Sequence, residues 1–308
     1  MKKSPASILR FHGVRGSRPF HVTDLLGYGG NSTCIEIDCG LDFIVAIDAG
    51  SGLQHIANRL GEHPTRKKIH LLITHTHWDH VLFLPFMRQL ANPECDIHIH
   101  APDISGRPFS DLFAMLFTKG RLPIPGDHTQ IVKSKLTFHR IKADHEFLIE
   151  GKCKVETIQV NHQHTTLGYK ISVGDSNLAV ITDAATIRHG NYLGTGMQKR
   201  ASVIGNEAFE REYNEKLIHW LRDVHTLVFD THFNAKNMKS DWGHASPDIA
   251  VDLCAKAKIK RLFMFHHAPE DNDNKVALKQ IYARNLAAAF GIEIINAREG
   301  DEWPLKSA

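Results

Sequence analysis

Thr74-His75-Thr76-His77-Trp78-Asp79-His80 follows directly on the largely apolar run Ile69–Ile73, and the fold is read outward from this stretch. His75 and His77 stand two apart, so in an extended segment their side chains point the same way. Asp79 and His80 follow where the chain turns toward a helix. Four N and O donors within six residues cannot all sit on one tetrahedral ion that keeps an open position. Divided between two ions, they fit a two-metal hydrolytic centre.

Around this stretch, short β-type runs punctuate the chain. They are Thr33–Asp38, Phe43–Ile47, Ile69–Ile73, Asp96–His100, Leu136–Ile141, Lys154–Val160, Gly168–Val173, Leu178–Ile181, Thr226–Asp230, Arg261–Phe265 and Glu293–Asn296. Continuous apolar runs such as Phe263-Met264-Phe265 predict strands covered on both faces. Helical periodicity fits Leu53–Leu60, the stretch after His80, Pro108–Phe117, Glu207–Leu221, Pro247–Ala257 and Val276–Phe290. Ser246-Pro247 has the form of an N-cap followed by proline in the first turn. Early strands come in neighbouring runs and the last third alternates helix and strand, which predicts two sheets between helix layers. No linker or repeat divides residues 1–308, so one domain is expected, with Asp183–Asn206 as a long polar surface loop.

Composition narrows the function classes. The 308 residues are 42% apolar and 23% charged, ordinary for a chain with a sizeable core. A formal charge of +3 is too small to imply nucleic acid or an anionic membrane. No apolar run approaches the roughly 20 residues of a spanning helix, and Met1–Arg10 has no apolar signal core, so a cytoplasmic protein without membrane association is expected. The five cysteines contain no CxxC pair and read as reduced structural thiols. Histidine is in excess, at 22 residues, and it is the commonest metal ligand.

The pattern T-H-x-H-x-D-H after a strand resembles the signature of the metallo-β-lactamase-fold hydrolases. Phe11-His12-Gly13-Val14-Arg15-Gly16-Ser17, Tyr28-Gly29-Gly30-Asn31-Ser32 and Ile47-Asp48-Ala49-Gly50-Ser51-Gly52 resemble the first strands and loops of that family's phosphodiesterase-like branch, which contains ribonuclease Z and cyclic-phosphate phosphodiesterases. The likeness runs from about Phe11 to Leu305. It implies an α/β fold of the αββα four-layer sandwich type, with two divalent ions at one edge of the paired sheets.

The remaining site residues are implied by the same resemblance. Val160-Asn161-His162, ahead of Leu167-Gly168-Tyr169, is similar to the third motif, so His162 joins His75 and His77 on the first ion. Ile181-Thr182-Asp183-Ala184 is similar to the fourth and makes Asp183 the bridging carboxylate. The strand ending in His266 resembles the fifth and gives His266 to the second ion with Asp79, His80 and Asp183; His267 is the competing choice. In Trp242-Gly243-His244-Ala245-Ser246, His244 faces the scissile phosphate without binding metal, its bland reading being a packing or capping histidine. The catalytic residues expected are His244 and Asp79. Asp48 reads either as the partner that orients a ligand histidine or as a turn residue before Gly50. His164 falls off the motif.

On this resemblance two cations sharing Asp183 would lower the pKa of a bridging water, giving a hydroxide for in-line attack while His244 assists the leaving oxygen. Histidine and carboxylate donors suit Zn2+, with Mn2+ or Fe as alternatives. Only twenty residues separate His162 from Asp183, so the long tRNA-binding arm of ribonuclease Z is not expected there. Phe83 stands where many relatives carry glycine, a substitution that would narrow the site or alter the following helix. Arg188, His189, Tyr192, His232, Asn234 and Lys236 read as solvated loop residues that could contact substrate, and His63, His70, His98 and His100 as strand or surface residues. The function expected is hydrolysis of a small or cyclic phosphodiester. The alternatives are a nuclease of the same mechanism and a metal-binding sensor without turnover. A homodimer is the default assembly.

Overall fold

The computed structural model describes residues 7–61, 67–118, 128–163, 165–185, 195–236, 238–239 and 242–305. The first sheet is built from β1 (Ile8–Gly13), β2 (Cys34–Asp38), β3 (Phe43–Ile47), β4 (Lys68–Leu72), β5 (Asp96–Pro102) and β6 (Lys135–Ile141). The second holds β7 (Glu146–Ile149), β8 (Cys153–Val160), β9 (Thr166–Val173), β10 (Ser176–Ile181), β11 (Thr226–Asp230), β12 (Arg261–Phe265) and β13 (Glu293–Asn296), while β14 (Glu302–Pro304) returns to the first sheet beside β1. In each sheet one half is antiparallel and the other, β3 to β6 or β10 to β13, is parallel. The parallel halves place the carboxyl ends of their strands along one edge, the usual position for a site in α/β sheets.

Three apolar layers hold the sandwich together. Phe11, Val45, Leu72, Val155, Tyr169 and Phe263 fill the space between the sheets. Ile69, Leu71 and Ile97 point the other way, against helices Leu53–Gly61 and Phe109–Leu116. Phe229, Leu262 and Met264 pack under helices Asn206–Trp220, Pro247–Ala257 and Asp273–Ala287. Strands buried on both faces explain the continuous apolar runs, and the layering is the expected four-layer sandwich. Among the described residues no helix is long and apolar enough to cross a membrane. The five cysteines are buried and unpaired.

Some sequence expectations are corrected. Within the stretch read as one long loop, Thr195–Ile204 is helical and buries Met197 and Ala201, a stripe too narrow to stand out among its polar neighbours. The helix expected after His80 is a single turn, Trp78–Val81, followed by short 3-10 turns, because Pro85 cannot continue an α-helix. Strands β7 and β14, four and three residues long, are too short for alternation to reveal them.

Candidate metal centre

The loops at the carboxyl ends of β3, β4, β8, β10 and β12 meet at one edge and bring two groups of donors together. His75, His77, His162 and Asp183 each place a donor atom within 4.8 Å of the others, and so do Asp79, His80 and His266. In the first group, His77 Nδ1 lies 2.9 Å from His75 Nε2 and 3.2 Å from His162 Nε2. Donors on a tetrahedral ion with bonds of about 2.0–2.1 Å stand about 3.3 Å apart, so these spacings are those of a coordination shell. In the second, His80 Nε2 is 3.2 Å from Asp79 Oδ2 and 3.1 Å from Asp183 Oδ1, and His266 Nε2 is 3.2 Å from Asp183 Oδ2. Asp183 Oδ2 also lies 3.9 Å from His75 Nε2 and 3.8 Å from His162 Nε2, so its carboxylate borders both groups.

Two buried atoms where the groups meet, His80 Nε2 and Asp183 Oδ1, face each other at 3.1 Å without a hydrogen bond. Unpaired buried polar atoms are costly, and a cation between them satisfies both. Donor type, spacing and these orphaned atoms fit two divalent ions.

A further ring of contacts aims the donors. Asp48 accepts from Thr74 N at 2.8 Å and takes the Nδ1 hydrogen of His80 at 2.7 Å, which turns His80 Nε2 toward the cluster. His162 Nδ1 donates to the Gly243 carbonyl at 3.0 Å, freeing its Nε2. Both Asp48 (φ 62°) and His266 (φ 58°) adopt the left-handed backbone that side chains avoid, local strain typical of functional positions. Gly16 makes room for His266, since a Cβ there would lie 2.3 Å from its Nδ1. The Gly16 loop is fixed by buried Arg15, which donates to the carbonyls of Gly29 and Asp271 at 2.7 and 2.6 Å. Its neighbour Ser17 donates its amide to Asp79 Oδ2 at 2.7 Å.

Charge sorts these residues. Burial, reinforced by His80, holds His75 well below the usual histidine pKa, and burial pushes His162 down to about 3, so both are neutral bases at pH 7. Burial alone would raise Asp183 and Asp79, but the neighbouring histidines outweigh it and hold both carboxyls well below their ordinary range. His80 moves upward despite burial because Asp183, Asp79 and Asp48 surround it. The pocket draws positive charge to the place where the second cation would stand.

His244 stands beside the donors, its ring centroid 4.9 Å from that of His266 and 5.3 Å from that of His162. Its Nδ1 donates to Asp230 Oδ2 at 2.7 Å. Despite burial, Asp230 raises the pKa of His244. Sequence reading missed Asp230; the available signal was an acid closing the apolar strand Leu227-Val228-Phe229. His232, read as a solvated loop residue, is instead buried and stacked on His244 at 4.6 Å. Lys279 fixes that loop by donating to the carbonyls of Thr231 and His232.

All seven expected ligands are thus brought together. His267 is not among them: it turns away and donates Nε2–H to the Ala297 carbonyl at 3.0 Å. Phe83 packs with the helix-side core of the first sheet and beside Phe86. Asn234 and Lys236 are exposed. Arg188, His189, Tyr192, His164 and His63 lie outside the described residues.

Comparison with known proteins agrees with this fold. Residues 35–267 match the family described as "Beta-lactamase superfamily domain". A curated relative, ribonuclease Z of Sulfurisphaera tokodaii, is 25% identical over 279 residues, covering 80% of this chain and 86% of the relative. The metallo-β-lactamase fold protein YhfI of Bacillus subtilis superposes with a TM-score of 0.68 at 14% identity, covering 97% of this chain and 99% of that one. Human tRNase Z, short form, superposes with a TM-score of 0.64 at 12% identity over 97% and 99% of the two chains.

Proposed function

Because this chain belongs to the β-lactamase superfamily, we propose that its two donor groups hold a pair of divalent ions, most simply Zn2+, and that it hydrolyses small or cyclic phosphodiesters. The observation that carries this reading is the Asp183 carboxylate, shared between the two donor groups beside the His244–Asp230 pair. When bound, such ions polarise a phosphoryl oxygen and lower the pKa of a coordinated water.

The chain's own residues divide the remaining work. His75, His77 and His162 would hold one ion and Asp79, His80 and His266 the other, with Asp183 beside both donor groups. Asp48 fixes the His80 ring in the tautomer whose Nε2 faces the site. His244, kept protonated to higher pH by Asp230, delivers a proton to the departing oxygen. Residues 1–308 form one hydrolase domain in this reading, and its buried unpaired thiols suit a reducing cytoplasm.

A nuclease of the same mechanism is the second reading. It is favoured by the ribonuclease Z relative and by the exposed Trp242, which carries Lys239 Nζ 3.9 Å from its ring centroid. A cation on an aromatic face is the kind of element that binds single strands. Turnover of bis(p-nitrophenyl) phosphate by metal-loaded protein, lost in Asp183→Ala together with full metal content, tests the common mechanism. Less than one ion per chain, with no effect of reconstitution, refutes it. A panel of 2′,3′- and 3′,5′-cyclic nucleotides, cyclic ribose phosphates and short oligonucleotides then separates the two substrate classes.

A further inference from the structure

The histidine excess has a second centre, away from the first. Strand alternation turns His70 of β4, His98 and His100 of β5 and His139 of β6 toward the space between the sheets. The strand register sets His70 beside His98 and His100 beside His139. Together with Phe147 of β7 and Glu150 of the turn that follows it, these four line a cleft of about 570 Å³. Apolar side chains fill the rest of the space between the sheets; here imidazoles replace them.

Their hydrogen bonds are one-sided. His70 Nδ1 is paired with His100 Nε2 at 3.1 Å, and His98 Nδ1 with His139 Nε2 at 3.0 Å. The other nitrogens, His70 Nε2 and His98 Nε2, are buried without a hydrogen-bond partner, and His70 as a whole is only 3% exposed. Each faces a carboxylate whose second oxygen is occupied by a lysine. Glu150 Oε1 is 3.4 Å from His70 Nε2 while Lys68 holds Oε2, and Asp96 Oδ1 is 3.1 Å from His98 Nε2 while Lys135 holds Oδ2. One donor atom from each of His70, His98 and Glu150 lies within 4.8 Å of the others.

We propose that this cleft is an additional metal site for a single divalent cation of the Zn2+ type, held by His70 Nε2, His98 Nε2 and the Glu150 carboxylate, with solvent completing the shell. Two imidazoles and a carboxylate are a zinc-type donor set, and a ligand histidine characteristically hydrogen-bonds through its other nitrogen, as both do here. Glu150 is delivered by a tight turn in which Glu150 (φ 50°) and Gly151 (φ 66°) are both left-handed and Lys152 N donates to Ile149 O. His70 lies five residues before His75, about 16 Å along extended chain, so the ion would be separate from the pair described above.

Equilibrium dialysis against Zn2+ with metal counting tests the site in the full chain. Wild type is expected to bind one ion more than His70→Phe/His98→Phe, which keeps ring volume in the cleft. Both proteins are expected to turn over bis(p-nitrophenyl) phosphate equally. Glu150→Gln, at the rim, is expected to weaken the extra ion at least tenfold. Equal ion counts in wild type and a natively folded double variant overturn the proposal. If the double variant does not fold, unchanged Zn2+ affinity in Glu150→Gln overturns it. The readout is a difference between chains, so it is independent of how fully the catalytic pair is loaded.

Discussion

Asp230 Oδ2 accepts the Nδ1 hydrogen of His244 at 2.7 Å, and the same carboxylate takes the amides of Ala184 and His232. One buried acid therefore sets the ring's tautomer, its pKa and the path of two loops beside the donors. Asp230→Asn is expected to lower kcat about 10- to 100-fold while leaving KM and ion content near wild type. Burial lowers and Asp230 raises the His244 pKa, with the carboxylate prevailing. An acid must be protonated to act, so removing Asp230 should shift the alkaline limb of the kcat–pH profile to lower pH. An unchanged limb would show that His244 is not the proton donor.

Among the proposed ligands Asp48 bonds directly to His80, and it meets His75 only at one remove, through the Thr74 hydroxyl. Asp48→Asn should leave the His75–His77–His162 group loaded and weaken the second ion about 10- to 100-fold, as loss of such supporting carboxylates commonly does. Calorimetric titration of Zn2+ into chelator-treated protein reads the two steps separately. Equal weakening of both steps would contradict the assignment.

Gly16→Ala probes the crowding around His266. The added methyl carbon would lie 2.3 Å from the imidazole, far inside contact distance, so ring or loop must move. The expected result is loss of the second ion and of most turnover, with thermal stability of the chelated protein little changed. Metal analysis beside a melting curve distinguishes this from general unfolding.

Burial and the neighbouring His139 push the His100 pKa down to about 2. Below pH 6.5 the unfolded chain takes up a proton that the folded chain refuses. Stability contributed by the neutral ring is present above pH 6.5 and declines by about 1.4 kcal/mol per pH unit as pH falls toward 2. His100→Phe should flatten the dependence of urea stability on pH between 6.5 and 4.5 in chelated protein. Parallel pH profiles would rule out this role.

The proposed ligands are legible in the sequence because they stand at fixed offsets in the runs Thr74–His80, Val160–His162, Ile181–Asp183 and Arg261–His266, each at the end of an apolar strand. Asp230 is not, since an acid closing a strand is also an ordinary turn residue; its meaning comes from His244, fourteen residues on. His232 was misread because its burial depends on the Lys279 ammonium, 47 positions away. The second histidine cluster shows in the sequence only as His98-Ile99-His100. What assembles it is the register of β4, β5 and β6 and the approach of β7, and neither is written in local periodicity.

The donors come from both halves of the sandwich: His75 to His80 hang from the first sheet, and His162, Asp183 and His266 from the second. An ion bound among them would therefore cross-link two layers that are otherwise joined mainly by apolar contact, with a few bonds such as Tyr169 Oη to the Ile73 carbonyl. The cleft between His70, His98 and Glu150 repeats that arrangement, with two donors from one sheet and the third from the turn after β7. Metal uptake at both proposed sites would clasp the layers at two separate points, and mechanical stiffness of the sandwich would then depend on the metal supply as well as on the chain.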